Sequence, residues 1–181
     1  MIARRFWLRI LGRHFATVSM GDPEPPCLCS SLAEVAVVPM GCDGLDERVF
    51  ATLENVCKHG GDQWWLAAYR CNACAQSWMV AQEERIFDDY FMRRLDEAEV
   101  RAIAAGRWPD DFLTYERVLI VGNRLSTPCR FLDPLSPSLI FTAHDLVDAR
   151  ADITLDEIAF LLGIAPDHAE LLLETEAPDF N

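Results

Sequence analysis

The chain has 181 residues, is 51% hydrophobic and carries a formal net charge of -13. That apolar share supplies a core for one domain, or one domain with a small appendage, and excludes global disorder. No apolar run reaches the roughly 18–20 residues of a membrane span, and the acidic balance disfavours a phosphate backbone as partner.

Charge is unevenly placed. Residues 1–20 hold Arg4, Arg5, Arg9 and Arg13 and no acid, whereas Ala151 to Asn181 holds eight acids and no Lys or Arg. Lys58 is the sole lysine against fifteen arginines, a bias of genome composition rather than mechanism. Seven cysteines form an odd set, and Arg9 interrupts the apolar stretch that a secretory signal would need. A reducing cytoplasm, with cysteines spent on metal instead of disulfides, is the expected setting.

In chain order, residues 1–20 have the spacing of a basic amphipathic helix, with Ile2, Phe6 and Ile10 on one face and Arg5, Arg9 and Arg13 on another. A membrane-surface or transit segment, a partner-binding helix, and an extension upstream of Met20 all fit that pattern. Gly21 to Pro26 reads as a linker. Cys27-x-Cys29 precedes an apolar run, Leu32 to Val38, that suits a serine-capped helix or a strand. Leu45, Val49, Leu53 and Val56 fall at helical spacing before Gly60-Gly61, which places Cys57 at a helix end.

Two strand-like runs, Trp64 to Tyr69 and Ser77 to Gln82, flank Cys71-Asn72-Ala73-Cys74. This is the pattern of a β-hairpin with a metal knuckle at its tip, since a turn between two cysteines aims both sulfurs at one ion. Cys57 and His59 complete a Cys₃His set, with Cys42 or Cys29 as substitutes for His59. Cys129, in a proline-flanked loop, reads as a small buried residue. Residues 57–78 resemble a zinc ribbon, although C-x-H replaces one of its two C-x-x-C knuckles. The resemblance implies a structural zinc on Cys57, His59, Cys71 and Cys74.

Downstream the spacing predicts helices. Phe87 to Leu95 is one. Asp96-x-x-Glu99 is a capping signal for Glu97–Ala105. Asp110 or Asp111 begins another, with Phe112, Tyr115, Val118 and Leu119 on one face and Gly122 as its stop. Residues 123–137 are a connection. Thr154 and Glu157 form a capping box for Leu155–Leu162, Gly163 ends that helix, and Pro166–Leu173 follows. Residues 153–174 resemble the helix pair of helix-turn-helix domains. The second helix offers Asp167, His168, Glu170 and Glu174, a poor match to a DNA groove.

No G-x-S-x-G, phosphate-binding loop, G-x-G-x-x-G or H-E-x-x-H occurs, and no catalytic residue is assigned. His144-Asp145 reads as a surface pair. Glu83, Glu84, Asp88 and Asp89 read as a solvated helix start or as an acidic patch for a basic partner. Trp64, Trp65, Trp78 and Trp108 are expected in the core.

The expected fold is α+β: a small antiparallel hairpin with a metal knuckle, packed with helices. Residues 1–26 form a basic segment and linker, 27–134 the core, and 135–181 an acidic helical appendage. The expected function is non-enzymatic: a cytoplasmic, bacterial protein-binding module with a structural zinc and a basic protein partner, its concrete version an immunity-type inhibitor of a basic toxin or nuclease. A zinc-ribbon/helix-turn-helix transcription regulator is the alternative, and an enzyme of unrecognised type the third reading.

Overall fold

The apolar runs around the C-x-x-C pair form the centre of a five-stranded sheet. A computed structural model describes residues 26–41, 43–60, 65–125 and 133–177. The basic segment 1–20, most of the linker, Cys42, Trp64 and Cys129 lie outside these residues. β1 (Val35–Pro39), β2 (Leu53–Lys58), β3 (Leu66–Cys71), β4 (Ser77–Glu83) and β5 (Asp89–Leu95) stand in the order β1-β5-β4-β3-β2, with every pairing antiparallel. The hairpin is β3–β4, with Tyr69 opposite Trp78 and Leu66 opposite Ala81. Six α-helices among the described residues complete a mixed α+β architecture.

Both faces of the sheet are covered. Trp78, Val80 and Met92 join Val38, Cys29 and Cys71 on one face, with Val49 of α1 (Leu45–Phe50) packed among them. Leu66, Ala68, Met79, Ala81 and Phe91 face the other way, against Ile103 of α2 (Glu97–Ala104) and Val118 of α3 (Tyr115–Leu125). Four consecutive residues of β4, Trp78 to Ala81, are therefore buried, because a central strand between two apolar layers needs no polar alternation.

Two expected helices are strands here. Phe87 to Leu95 is not a helix: all of it from Asp89 on is β5, where β1 and β4 satisfy the backbone on both sides. The 45–56 periodicity stops being helical at Phe50, and Leu53–Lys58 pairs with β3 as an edge strand. In both segments strand pairing outweighs a short helical pattern.

Gly122 does not stop α3, which continues to Leu125. It is a point of close approach: a Cβ there would lie 2.5 Å from Phe87 Cε2 and 3.0 Å from Phe91 Cζ. Gly122→Ala should cost about 1–3 kcal/mol by forcing these rings aside. A urea unfolding midpoint unchanged from wild type would refute that packing constraint.

α3 joins two layers. Val118 packs against the sheet, while Leu119 packs with α4 (Pro137–Ala149), α5 (Leu155–Leu162) and α6 (Pro166–Glu174) through Ile140, Leu146, Ile158 and Leu172. α5 and α6 form as the capping box and Gly163 foretell, with Gly163 at φ 66° in the left-handed region. The loop between β4 and β5 enters the same cluster through Ile86.

That loop is organised by a buried carboxylate. Glu83 is 0% exposed and accepts the backbone N–H groups of Arg85, Ile86 and Phe87 at 2.6–3.2 Å, together with the Tyr115 hydroxyl. Burial and the Glu83 charge raise the Tyr115 phenol far above its ordinary range. Arg85 lies 4.7 Å over the Tyr115 ring and 4.8 Å over Phe141, and pairs with Asp145 at 2.7 Å. The expected acidic patch is thereby halved: Glu83 and Asp89 are buried, and only Glu84 and Asp88 are exposed. His144 Nε2 lies 2.9 Å from the Thr175 carbonyl oxygen, so His144 and Asp145 have separate structural partners. Trp78 is fully buried, and Trp65 and Trp108 partly so.

Candidate metal centre

The knuckle forms where β3 ends. The Cys71 N–H donates to the Gln76 carbonyl at 2.9 Å, and the Ala75 N–H donates to the Cys71 carbonyl at 2.9 Å. Ala75 takes φ 62°, a left-handed conformation uncommon for a residue with a Cβ. This turn folds Cys74 back beside Cys71. Asn72 N–H, bonded to the Thr52 carbonyl at 2.8 Å, ties the knuckle to the start of β2.

The opposing half comes from residues 27–29. A single 3₁₀ turn, Cys29–Ser31, is closed by the Ser31 N–H and hydroxyl, both donating to the Leu28 carbonyl. Its Cys29 is 5% exposed and packs beside Trp78. The sulfurs of Cys27, Cys29, Cys71 and Cys74 all lie within 4.8 Å of one another. Cys27 Sγ is 3.5 Å from Cys71 Sγ and 3.4 Å from Cys74 Sγ. A tetrahedral site with metal–sulfur bonds of about 2.3 Å has S···S edges of about 3.8 Å, so small shifts accommodate an ion. These four cysteines can hold a metal ion, and among the described residues no other group of three or more such side chains converges. An all-sulfur set suits a soft or borderline ion and disfavours magnesium or calcium.

The surroundings supply donors to the sulfurs. The Cys29 N–H donates to Cys27 Sγ at 3.4 Å, the Trp78 indole N–H to Cys29 Sγ at 3.3 Å, and Thr52 Oγ1 lies 3.4 Å from Cys71 Sγ. Such groups orient metal-bound thiolates and disperse their charge. For Cys71, burial opposes ionisation, but the Thr52 hydroxyl and the Cys74 and Ala73 N–H groups outweigh it and bring the thiol to about 6. Burial pushes Cys29 up to about 12 despite the Trp78 indole. At Cys27 the Cys29 N–H favours the thiolate, yet burial and the Cys74 and Cys71 sulfurs leave it raised. Loading a metal at neutral pH therefore displaces protons, those of Cys27 and Cys29 among them.

Arg94 joins the two halves. It donates to the Cys29 and Leu32 carbonyls on one side and to Gln76 Oε1, at 2.9 Å, on the other. Its guanidinium lies 4.5 Å over the Trp78 ring. Both the peptide segment that carries Cys29 and the indole that touches its sulfur thus rest on one side chain.

Of the residues expected to bind metal, the structure brings Cys71 and Cys74 together and places Cys57 and His59 elsewhere. A bulge between Asn55 and Cys57 sets Cys57 opposite Ala68, on the face of Leu66 and Met79, whereas Cys71 lies on the face of Trp78. His59 donates its N–H to Leu66 at the start of β3, and its ring meets Trp108 edge-on at 5.2 Å. Five residues of strand, roughly 17 Å, separate that point from Cys71. Cys29, named as a substitute ligand, is in the cluster. Cys27 was not named, though C-x-C and C-x-x-C are the two closely spaced cysteine pairs in the chain. Pairing them would have indicated the set.

No protein-family model, curated protein or solved structure matches the chain.

Proposed function

We propose that this chain is a non-enzymatic protein-binding module. A structural zinc on Cys27, Cys29, Cys71 and Cys74 staples the sheet, and the acidic C-terminal helices cover a basic protein partner. An immunity-type inhibitor of a basic toxin or nuclease, acting in a bacterial cytoplasm, is its concrete form. No helix among the described residues is long and apolar enough to cross a membrane. The observation that carries the proposal is the outer surface of α5 and α6. Asp156, Asp167, Glu170 and Glu174 are exposed there together with Leu155, Phe160 and Leu171, the last two 52% and 44% exposed, and no Lys or Arg follows Arg150. Apolar side chains among like charges suit a partner that is basic at its rim and apolar at its centre.

Affinity capture from the source cell, followed by binding kinetics at two ionic strengths, tests this reading. The association rate should fall severalfold as salt rises, and Glu170→Lys with Glu174→Lys should lower it further while leaving the unfolding midpoint nearly unchanged. A partner bound without salt dependence, or only a small molecule recovered, would reject it.

The α5–turn–α6 geometry favours a transcription regulator as the second reading. The acids on α6 oppose it. Recovery of a defined duplex bound at or below roughly 10⁻⁸ M would reverse the order of the two.

A further inference from the structure

The four cysteines are not equally accessible. Cys29 and Cys71 are 5% and 2% exposed, Cys27 is half-buried and Cys74 is exposed. Cys74 also lines an open groove of about 630 Å³, between the knuckle and α2, with Arg70, Gln76, Ser77, Val100 and Arg101. Cys74 is therefore open to a small solute, while Cys71 is buried with its sulfur against Thr52. The Cys74 sulfur lies 3.4 Å from that of Cys27.

From this arrangement we infer that Cys27 and Cys74 are a reversible oxidative modification site: a peroxide converts them to a disulfide, expels the metal, and leaves the two halves of the centre covalently joined. The inference rests on the zinc reading above. The Cys74 thiolate attacks one peroxide oxygen and breaks the O–O bond. This leaves a sulfenic acid and a hydroxide that takes a proton to become water. The Cys27 thiolate then attacks the Cys74 sulfur. The S–S bond forms, and the second hydroxide leaves and is protonated to water. The two sulfurs lose two electrons and the peroxide gains them. Two ligands remain, Cys29 against the Trp78 indole and Cys71 against Thr52, too few to hold a structural ion.

The new bond spans the same segments that the metal spans, residue 27 and the knuckle, so oxidation exchanges one staple for another. Metal loss by chelation leaves no crosslink. The two routes to metal-free protein therefore give different stabilities, the oxidised form being the more stable.

The test uses the full chain, as purified, with hydrogen peroxide and a chromogenic zinc chelator. Peroxide should release the bound zinc, peptide mapping should find a Cys27–Cys74 disulfide with Cys29 and Cys71 still alkylatable, and dithiothreitol with added zinc should restore the starting state. The melting temperature of the oxidised form should lie between those of the zinc-loaded protein and the chelator-stripped, reduced protein. A disulfide involving Cys29 or Cys71, oxidation beyond the sulfenic stage without a disulfide, or a melting temperature no higher than that of the stripped protein would overturn the inference. Protein that carries no metal as purified would instead strike the zinc reading, and mapping of its peroxide product would still decide which cysteines pair.

Discussion

Protein purified without chelators is expected to carry about one zinc per chain by elemental analysis, and Cys71→Ser should abolish it. Cys71 is the cysteine of the four most deeply tied into the fold: it ends β3, its N–H closes the knuckle on Gln76, and its sulfur meets Thr52. Losing the ion removes the bond between the knuckle and the segment at Cys27 to Cys29, which has little secondary structure of its own. Metal binding free energy is then folding free energy for that corner of the sheet. A loss of at least about 3–5 kcal/mol is expected, or roughly 10 °C or more in melting temperature for a chain of this size. Cys57→Ser and His59→Ala supply the contrast. Cys57 lies on the opposite face of the sheet from Cys71, His59 lies beside the start of β3, and both variants should keep the metal. Zinc retained in Cys71→Ser, or lost in Cys57→Ser, would show that the ion is held elsewhere.

Glu83→Ala should be the most damaging substitution outside the cysteines. The side chain is fully buried, and its two oxygens satisfy three consecutive backbone N–H groups and the Tyr115 hydroxyl. Removing it strands these donors around a fully buried position. An unsatisfied buried polar group costs about 1–3 kcal/mol, and several are orphaned together, so a loss of about 3–5 kcal/mol is expected. Tyr115→Phe removes one of the four donors and should cost only about 1–2 kcal/mol. The pair also separates structure from binding. If Glu83 were part of an exposed acidic face, Glu83→Ala would weaken partner association and leave the unfolding midpoint alone. That result would contradict the buried geometry.

Local chemistry was legible wherever one segment decides its own conformation. Asp96 with Glu99 and Thr154 with Glu157 form capping boxes as their spacing requires, because a cap is completed within four residues. The hairpin around Cys71 and Cys74 is equally local, and so is the turn at Gly163. The short apolar runs were not legible in this way. Leu53 to Lys58 and Asp89 to Leu95 carry a helical spacing that the chain does not use, since their hydrogen bonds go to partner strands: β2 to β3, and β5 to β4 and to the distant β1. Gly122 reads as a helix stop, yet what constrains it is Phe87, thirty-five residues upstream.

The metal centre divides along the same line. Its C-x-x-C half is a property of six consecutive residues, and the sequence by itself determined that Cys71 and Cys74 would point at one place. The C-x-C spacing marks Cys27 and Cys29 as a second pair, but the seating of that pair opposite the knuckle, and not of Cys57, depends on two things no local pattern carries. One is the bulge in β2, which turns Cys57 to the opposite face of the sheet. The other is the seat that Arg94 and Trp78, both more than forty residues downstream, provide for Cys29. A side chain's face and its distance along a strand are set by register, and register is decided only when the whole sheet assembles and both of its faces are buried.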